Sequence, residues 1–348
     1  MNKFGNSTLF SAIHDYLKIY LPKQRKLSPN TIRSYREALE LLVDFVKKQR
    51  SIPLQDVTFE MLTAEMILAY LDYLEDERRC SVATRNNRLA AIRAFLQYAS
   101  DRDVTIVVVR NELKKVPVKK PDKAEVIGYM SMAAITAIVA RTDVATLKGF
   151  RDRFFMILMY DTGARLQEMI DIKLCDLRIS KTSTATLHGK GGKTRSVPLM
   201  EKTVQHLQKY LTLFHPEPYN RNDNLFYTII RGQKSPISAS CIRLFLKQYG
   251  EAARGYCLEV PENVHPHLWR HSRAMHLYQQ GMDLSLISEW LGHANIETTK
   301  VYAHADTEHK RKAIAAATQP GNPLYEKLNA ARFTVTDEDT LKRLTGLR

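Results

Sequence analysis

Apolar residues recur every three to four positions through most of the chain, so helices dominate the expected structure. Leu9, Ile13, Tyr16, Leu17 and Tyr20 form one stripe, which ends at Pro22. A second stripe runs through Ile32, Tyr35, Leu39, Leu42, Phe45 and Val46. Ser28-Pro29 precedes it, an N-cap followed by proline at the first helical position, where a missing N–H leaves no bond unmade. Residues 61–74 and 84–99 supply a third and a fourth helix. In the last, Leu89, Ile92, Phe95 and Leu96 face inward and Arg85, Arg88 and Arg93 lie on the surface. Four short helices predict a compact helical domain over residues 1–105.

Residues 106–125 change character. Arg110, Lys114, Lys115, Lys119, Lys120 and Lys123 are interleaved with Pro117 and Pro121, which reads as a basic, extended connector. It is either a plain solvated linker or a strand of chain that crosses a phosphate backbone. A larger region, residues 126–318, comes next. Helical patterns cover 130–140, 150–160, 203–214, 238–253, 268–280 and 284–291. They are interrupted by two β-prone runs, 184–188 and 195–199, around Gly189-Lys190-Gly191-Gly192-Lys193, a hairpin signal. A tail, 319–348, carries Leu341, Leu344 and Leu347 at helical spacing. The fold class expected is mainly α: a four-helix N-terminal domain plus a mostly helical second domain with a small antiparallel sheet.

Charge narrows the partner. Lys and Arg number 52 against 37 Asp and Glu, a formal net charge of +15. Such a surplus points to a polyanion, nucleic acid or an anionic membrane surface. The apolar runs 130–140 and 154–160 are too short to span a bilayer, and the opening MNKFGNSTLF lacks a signal-peptide core. Cys80, Cys175, Cys241 and Cys257 are scattered without CxxC spacing, against a disulfide framework or a zinc site and in favour of a reducing cytoplasm. A cytoplasmic protein that binds DNA or RNA, with no membrane partner, is the expectation.

Four clusters in the second region could carry chemistry. Thr162-Gly163-Ala164-Arg165-Leu166-Gln167-Glu168 places a glycine beside an arginine at a helix start, where backbone and guanidinium can approach one anion. Read alone, Arg165 and Glu168 are equally a helix-surface ion pair. Lys190 sits on a glycine-rich turn from which an ammonium can reach a cleft. The turn is not a nucleotide-binding P-loop, because no Ser or Thr follows a lysine after the required glycine spacing and no helix opens there. In His265-Pro266-His267-Leu268-Trp269-Arg270-His271, His267 and Arg270 share a helix face and could hold one phosphate. Zinc is disfavoured there, since HExxH and a nearby carboxylate at ligand spacing are both missing. The last cluster is Leu291-Gly292-His293-Ala294, followed by Thr298-Thr299-Lys300-Val301-Tyr302-Ala303-His304.

Taken together, TGxRxxE, GKGxKxR, HxxRH and LGHxxxxTTxxYxH resemble the tyrosine recombinase (phage integrase) family in order and spacing. SPNTIRSY and ATRNNRLAAIRAF resemble that family's core-binding (SAM-like) helices, so the likeness covers roughly residues 5 to 315. The first helix pattern begins at Leu9, so the resemblance is to the simpler two-domain, Xer-like members. It implies Tyr302 as nucleophile, leaving a 3′-phosphotyrosine and a free 5′-hydroxyl. Arg165 and Arg270 would clamp the non-bridging oxygens, and Lys190 would protonate the leaving oxygen, with Lys193 the fallback. His267 would accept the tyrosine proton or bind phosphate, His293 would bond the phosphate, and Glu168 would orient its neighbours. Arg85, Arg88, Arg93, Lys114, Lys115, Lys119, Lys120, Lys193 and Arg195 are the expected DNA contacts. The resemblance further implies a homo-tetramer on a double-stranded DNA recombination site, a Holliday-junction intermediate, possible accessory proteins, and no metal or other cofactor. The job implied is integration or excision of a mobile element, or chromosome-dimer resolution. Two other readings stay open: a type IB topoisomerase, and a DNA-binding accessory protein that has lost catalysis.

Overall fold

A computed structural model describes residues 8–120, 128–189, 192–292, 299, 302, 311 and 337–347. The chain divides into two compact units, Met1–Glu125 and Val126–Arg348, each with its own apolar core.

The first unit contains the four expected helices and one more. Helix α1 spans Thr8–Asp15 and continues through Tyr16–Gln24 in a wider winding, in which the Arg25 N–H reaches back five residues to the Tyr20 carbonyl. Pro22, which has no N–H to donate, lies inside this stretch. Helix α2 (Pro29–Arg50) starts as expected, with the Ser28 hydroxyl accepting from the Thr31 N–H. Helices α3 (Ala64–Asp76) and α4 (Val82–Ser100) are capped in the same way by Thr63 and Ser81.

The connector departs from expectation. It is not extended at its start: Val107–Lys114 forms a further helix, α5, and Ile106, Leu113 and Val116 join the first core. Side chains of α4 fasten the end of α5 and the residues after it. Arg85 is buried, its Nε 2.7 Å from Glu75 Oε1, and it also donates to the Pro117 carbonyl. Arg93 donates to the carbonyls of Leu113 and Val116. The Asn86 side chain bonds the Lys119 backbone in both directions, and the Lys119 ammonium sits 2.6 Å from Glu75. Arg85 and Arg93, expected as surface DNA contacts, therefore spend their donors inside the fold. Arg88 is turned toward the Ser34 carbonyl and Glu37. Lys114, Lys115, Lys119 and Lys120 are exposed.

In the second unit, α6 (Met132–Val139), α7 (Leu147–Thr162) and α8 (Leu166–Asp171) lead into a three-stranded antiparallel sheet. Its strands are β1 (Leu177–Arg178), β2 (Thr184–His188) and β3 (Thr194–Pro198), with Leu187 paired to Arg195. Helix α9 (Glu201–Phe214) comes next, then a hairpin that the hydrophobic pattern does not announce, β4 (Tyr227–Ile230) and β5 (Gln233–Pro236). Helices α10 (Ala239–Arg254), α11 (Pro266–Gln279) and α12 (Leu284–Leu291) complete the described body. Trp269 of α11 is fully buried in the main core, so the side of α11 that carries it is fixed against α7. The tail forms helix α13 (Glu338–Thr345); Leu341 and Leu344 on it, and Leu347 just beyond it, are all exposed. Among the described residues, no helix is long and apolar enough to cross a membrane.

Candidate active site

The site grows from two helix ends. Helix α7 terminates at Gly163, whose φ of 60° is left-handed and whose missing side chain leaves room for Leu291. Two residues later Arg165 caps α8, and Glu168 accepts its backbone N–H at 2.8 Å. Helix α12 terminates in the same way at Gly292, φ 64°. The last carbonyls of any helix lack intrahelical donors and carry the negative end of its dipole. Here arginines supply the donors. Arg195 Nε reaches the Trp290 carbonyl at 2.8 Å, Arg270 Nη2 the Leu291 carbonyl at 2.6 Å, and Arg165 Nη2 the Gly292 carbonyl at 3.1 Å. Arg270 Nη1 also donates to the Gly163 carbonyl at 2.7 Å, which bridges the two helix ends. The end of α12, Trp290 and the Leu-Gly of the LGH motif, is therefore the collar that gathers three cations.

One carboxylate balances them. Glu168 is 3% exposed; it accepts from Arg165 Nη1 at 2.9 Å and from both terminal nitrogens of Arg195 at 2.9 and 2.8 Å. Burial alone would raise its pKa, but hydrogen bonds from Arg195 and Arg165 outweigh that and hold the carboxyl below its ordinary value. Arg270 is pushed down to about 9 by burial and then by the Arg165 and Arg195 charges, yet it remains a cation at neutral pH. Three guanidiniums against one carboxylate leave about two units of uncompensated positive charge, a site prepared for an anion. Arg165, Arg195, Gly189, Lys193 and Gly292 border a cleft of about 970 Å³.

Tyr302 lies beside this cluster, 1% exposed, in a small core with Ala274, Met275, Leu277, Ile287 and Leu291. Its hydroxyl is 2.8 Å from His271 Nδ1. Burial pushes the phenol up to about 12, while Arg270 pulls it the other way. His271 is pushed down to about 4, by burial first and then by His267 and Arg270, so its ring is neutral and can accept the phenol proton in a hydrogen bond. His265 is used differently: its Nδ1 caps α11 by accepting from the Leu268 N–H at 3.3 Å. His267 is exposed, and its imidazole is held below the usual value by the surrounding protein, His265, Arg270 and Arg165.

Of the residues expected from sequence, Arg165, Glu168, Arg270 and Tyr302 meet in one place, with His267 on the same helix as Arg270. Lys190 and His293 lie outside the described residues. Lys193 is exposed at the cleft. Arg195, expected as a DNA contact, is instead committed to Glu168 and Trp290. His271, not singled out by the motif reading, is the group that holds the tyrosine hydroxyl.

The buried neutral imidazole has a consequence for stability. Unfolded, His271 titrates near its ordinary pKa of about 6.5, and folded it resists protonation until about pH 4. The unfolded chain thus binds the extra proton first, and stability is lost as pH falls from 6.5 toward 4. Urea unfolding at pH 7 and pH 5 is expected to differ by up to about 2 kcal/mol on this account. His271→Gln, which keeps a partner for the phenol without a titratable ring, should flatten that slope. An unchanged slope would place the titration elsewhere.

Comparison with known proteins agrees with this geometry. Residues 129–309 match the phage integrase family, and residues 13–103 match the phage integrase N-terminal SAM-like domain. The tyrosine recombinase XerD of Staphylococcus saprophyticus is 30% identical over 306 residues, which is 86% of this chain and 96% of that one. The putative integrase/recombinase y4rC of Sinorhizobium fredii is 29% identical over 311 residues, 89% and 92% of the two chains. In fold, the chain is similar to the XerH site-specific recombinase bound to its palindromic difH substrate, with a TM-score of 0.61 at 23% identity over 84% of this chain and 81% of that one. It is also similar to the Tn1549 transposon integrase bound to a circular intermediate DNA, TM-score 0.64 at 17% identity, covering 88% and 99%. The chain belongs to the phage integrase family, the tyrosine recombinases, enzymes that cleave and rejoin DNA.

Proposed function

We propose that the chain is a site-specific recombinase in which Tyr302 attacks the scissile phosphorus of a duplex recombination site. The P–O bond to the tyrosine forms, the P–O5′ bond breaks, and the 3′ end remains as a phosphotyrosine. The observation that carries this reading is the gathering of Arg165, Arg195 and Arg270 where α7 and α12 end, the first two on Glu168 and the third on the Gly163 and Leu291 carbonyls, beside buried Tyr302. Arg165 and Arg270 neutralise the phosphate oxygens, since a guanidinium is planar and permanently charged. Lys190 protonates the leaving 5′-oxygen, His293 bonds the phosphate, and His267, on the exposed side of α11, takes the tyrosine proton or a phosphate oxygen. Glu168 keeps the arginines in place. These cations do the electrostatic work that a divalent ion does elsewhere, so the step needs no metal. The phosphotyrosyl bond conserves the diester's energy, so rejoining needs no ATP. Tyr302 is buried in a small core, so attack on the phosphorus requires its ring to turn out toward the duplex. The four strands are exchanged in two pairs, with a Holliday junction between the two steps, in a homo-tetramer, with Leu341, Leu344 and Leu347 the surface offered to a neighbouring subunit. Accessory proteins, and the choice between element integration, excision and dimer resolution, belong to the same proposal.

Duplexes nicked beside candidate crossover sites, incubated with the protein in EDTA and run on denaturing gels, test it. A covalent adduct, with the modified peptide mapping to Tyr302, is expected. An adduct that requires a divalent metal would overturn the metal-free reading. DNA binding without any adduct across a randomised site library would favour a catalytically silent accessory protein. Relaxation of supercoiled plasmids regardless of sequence would favour topoisomerase activity.

A further inference from the structure

Arg195 is the most fully engaged cation of the site, and the phosphate clamp does not explain it. Its two terminal nitrogens grip both oxygens of Glu168, at 2.9 and 2.8 Å, while Nε holds the Trp290 carbonyl at 2.8 Å. The side chain is only 12% exposed, so little of it is left to meet DNA. Gly292 is shaped around it: a Cβ there would lie 3.0 Å from Arg195 Cδ and Nη1, in a backbone conformation already costly for any other residue. Arg195 belongs to β3, opposite Leu187 of β2, two residues beyond the turn that the Gly189 N–H closes on the Lys193 carbonyl at 2.7 Å. Gly189 lies beside the same carboxylate, since a Cβ there would lie 3.4 Å from Glu168 Oε1. One guanidinium therefore joins the hairpin, α8 and the end of α12.

We propose that Arg195 is a positioning residue that sets where the β2–β3 turn, and with it the proton donor for the leaving strand, stands relative to the phosphate clamp. The inference rests on the reading of Lys190 as that donor. When Tyr302 attacks, the electron pair of the breaking P–O5′ bond passes to O5′, which must take a proton from the lysine ammonium. A misplaced hairpin leaves the clamp charged but the leaving oxygen unprotonated. The deficit should then vanish for a leaving group that needs no proton.

The test uses two nicked suicide duplexes that differ only in the bridging 5′ atom of the scissile phosphate, oxygen or sulfur. A thiol is far more acidic than an alcohol, so the sulfur leaves as thiolate without help. Single-turnover cleavage is measured for the parent, Lys190→Ala, Arg195→Gln and Arg195→Lys, each checked for DNA affinity and thermal unfolding. Lys190→Ala and Arg195→Gln are expected to lose about 10²-fold or more with oxygen. With sulfur, both should return to within about tenfold of the parent. Arg195→Lys keeps the charge but loses the fork and the Trp290 contact; it should show a smaller deficit with the same sulfur recovery, and it stands in if the glutamine variant does not fold. Recovery by Lys190→Ala but by neither Arg195 variant would overturn the positioning role alone, as a direct phosphate contact or a general loss of structure would produce. Failure of Lys190→Ala to recover would remove the lysine as proton donor, and the positioning proposal with it.

Discussion

A Tyr302→Phe protein is expected to form no covalent DNA adduct at all while binding its duplex within about threefold of the parent. The hydroxyl is the only atom removed, and the ring stays in the cluster with Met275, Ile287 and Leu291. The loss to the fold is one hydrogen bond, from the phenol to His271 Nδ1, worth about 1 kcal/mol. On the proposed mechanism, by contrast, catalysis loses its nucleophile. Burial is the main reason that the phenol is raised to about 12. Turning the ring out toward a bound phosphate removes that cause and brings the hydroxyl under the arginine charges, so activation and presentation are the same movement. Denaturing gels with a nicked duplex read the adduct, and mobility shifts on the intact duplex read the binding. An adduct that survives in the variant would assign the nucleophile elsewhere. Loss of binding would mean that the stored tyrosine supports the DNA-binding surface rather than the chemistry.

Much of this architecture is legible in the sequence where one physical cause dominates. Helix α2 is announced by a proline after a capping serine and by a single apolar stripe, and the β2–β3 hairpin by β-prone runs around glycines. The elements that stay hidden depend on distant contacts or on an unusual turn residue. Helix α5 contains Val107, Val108 and Val109 and leads into a basic, proline-bearing stretch, so local propensity argues against a helix; the burial of Ile106, Leu113 and Val116 in the first core decides otherwise. The β4–β5 hairpin turns on Arg231 and Gly232, both at positive φ, and an arginine there is a weak turn signal beside Asn or Asp. The site divides along the same line. Residue types at motif spacing single out Arg165, Glu168, Arg270 and Tyr302, which the fold brings together. Spacing cannot tell a cation aimed at DNA from one aimed at a buried carboxylate or carbonyl, and Arg85, Arg93 and Arg195 are of the second kind. Nor can it show that the α12 terminus, through its free carbonyls, is the place where the arginines meet.

Arg270 should be the arginine whose loss is most damaging. It is 4% exposed and bridges the carbonyls that end α7 and α12, so its position is fixed before any substrate arrives. A donor that is already desolvated and oriented needs no further reorganisation when charge develops on the phosphate. Removal of one such donor typically slows an enzyme by about 10² to 10³, and a guanidinium offers two to a phosphate. Arg270→Ala is therefore expected to reduce single-turnover strand cleavage by about 10³-fold or more. The effect on the fold should be smaller, because two opposing contributions are removed together. The Gly163 and Leu291 carbonyls lose their donor, which is destabilising, but a buried cation repelled by Arg165 and Arg195 is also deleted. Arg270→Lys sharpens the comparison: an ammonium keeps the charge but cannot fork between two carbonyls and still face the phosphate, so about 10² of the loss should remain. Cleavage at saturating protein on a nicked duplex, paired with urea unfolding of the same samples, separates the two effects. A cleavage rate within tenfold of the parent for Arg270→Ala would place the transition-state charge on Arg165 instead, and Arg270 would then be a structural bridge between two helix ends.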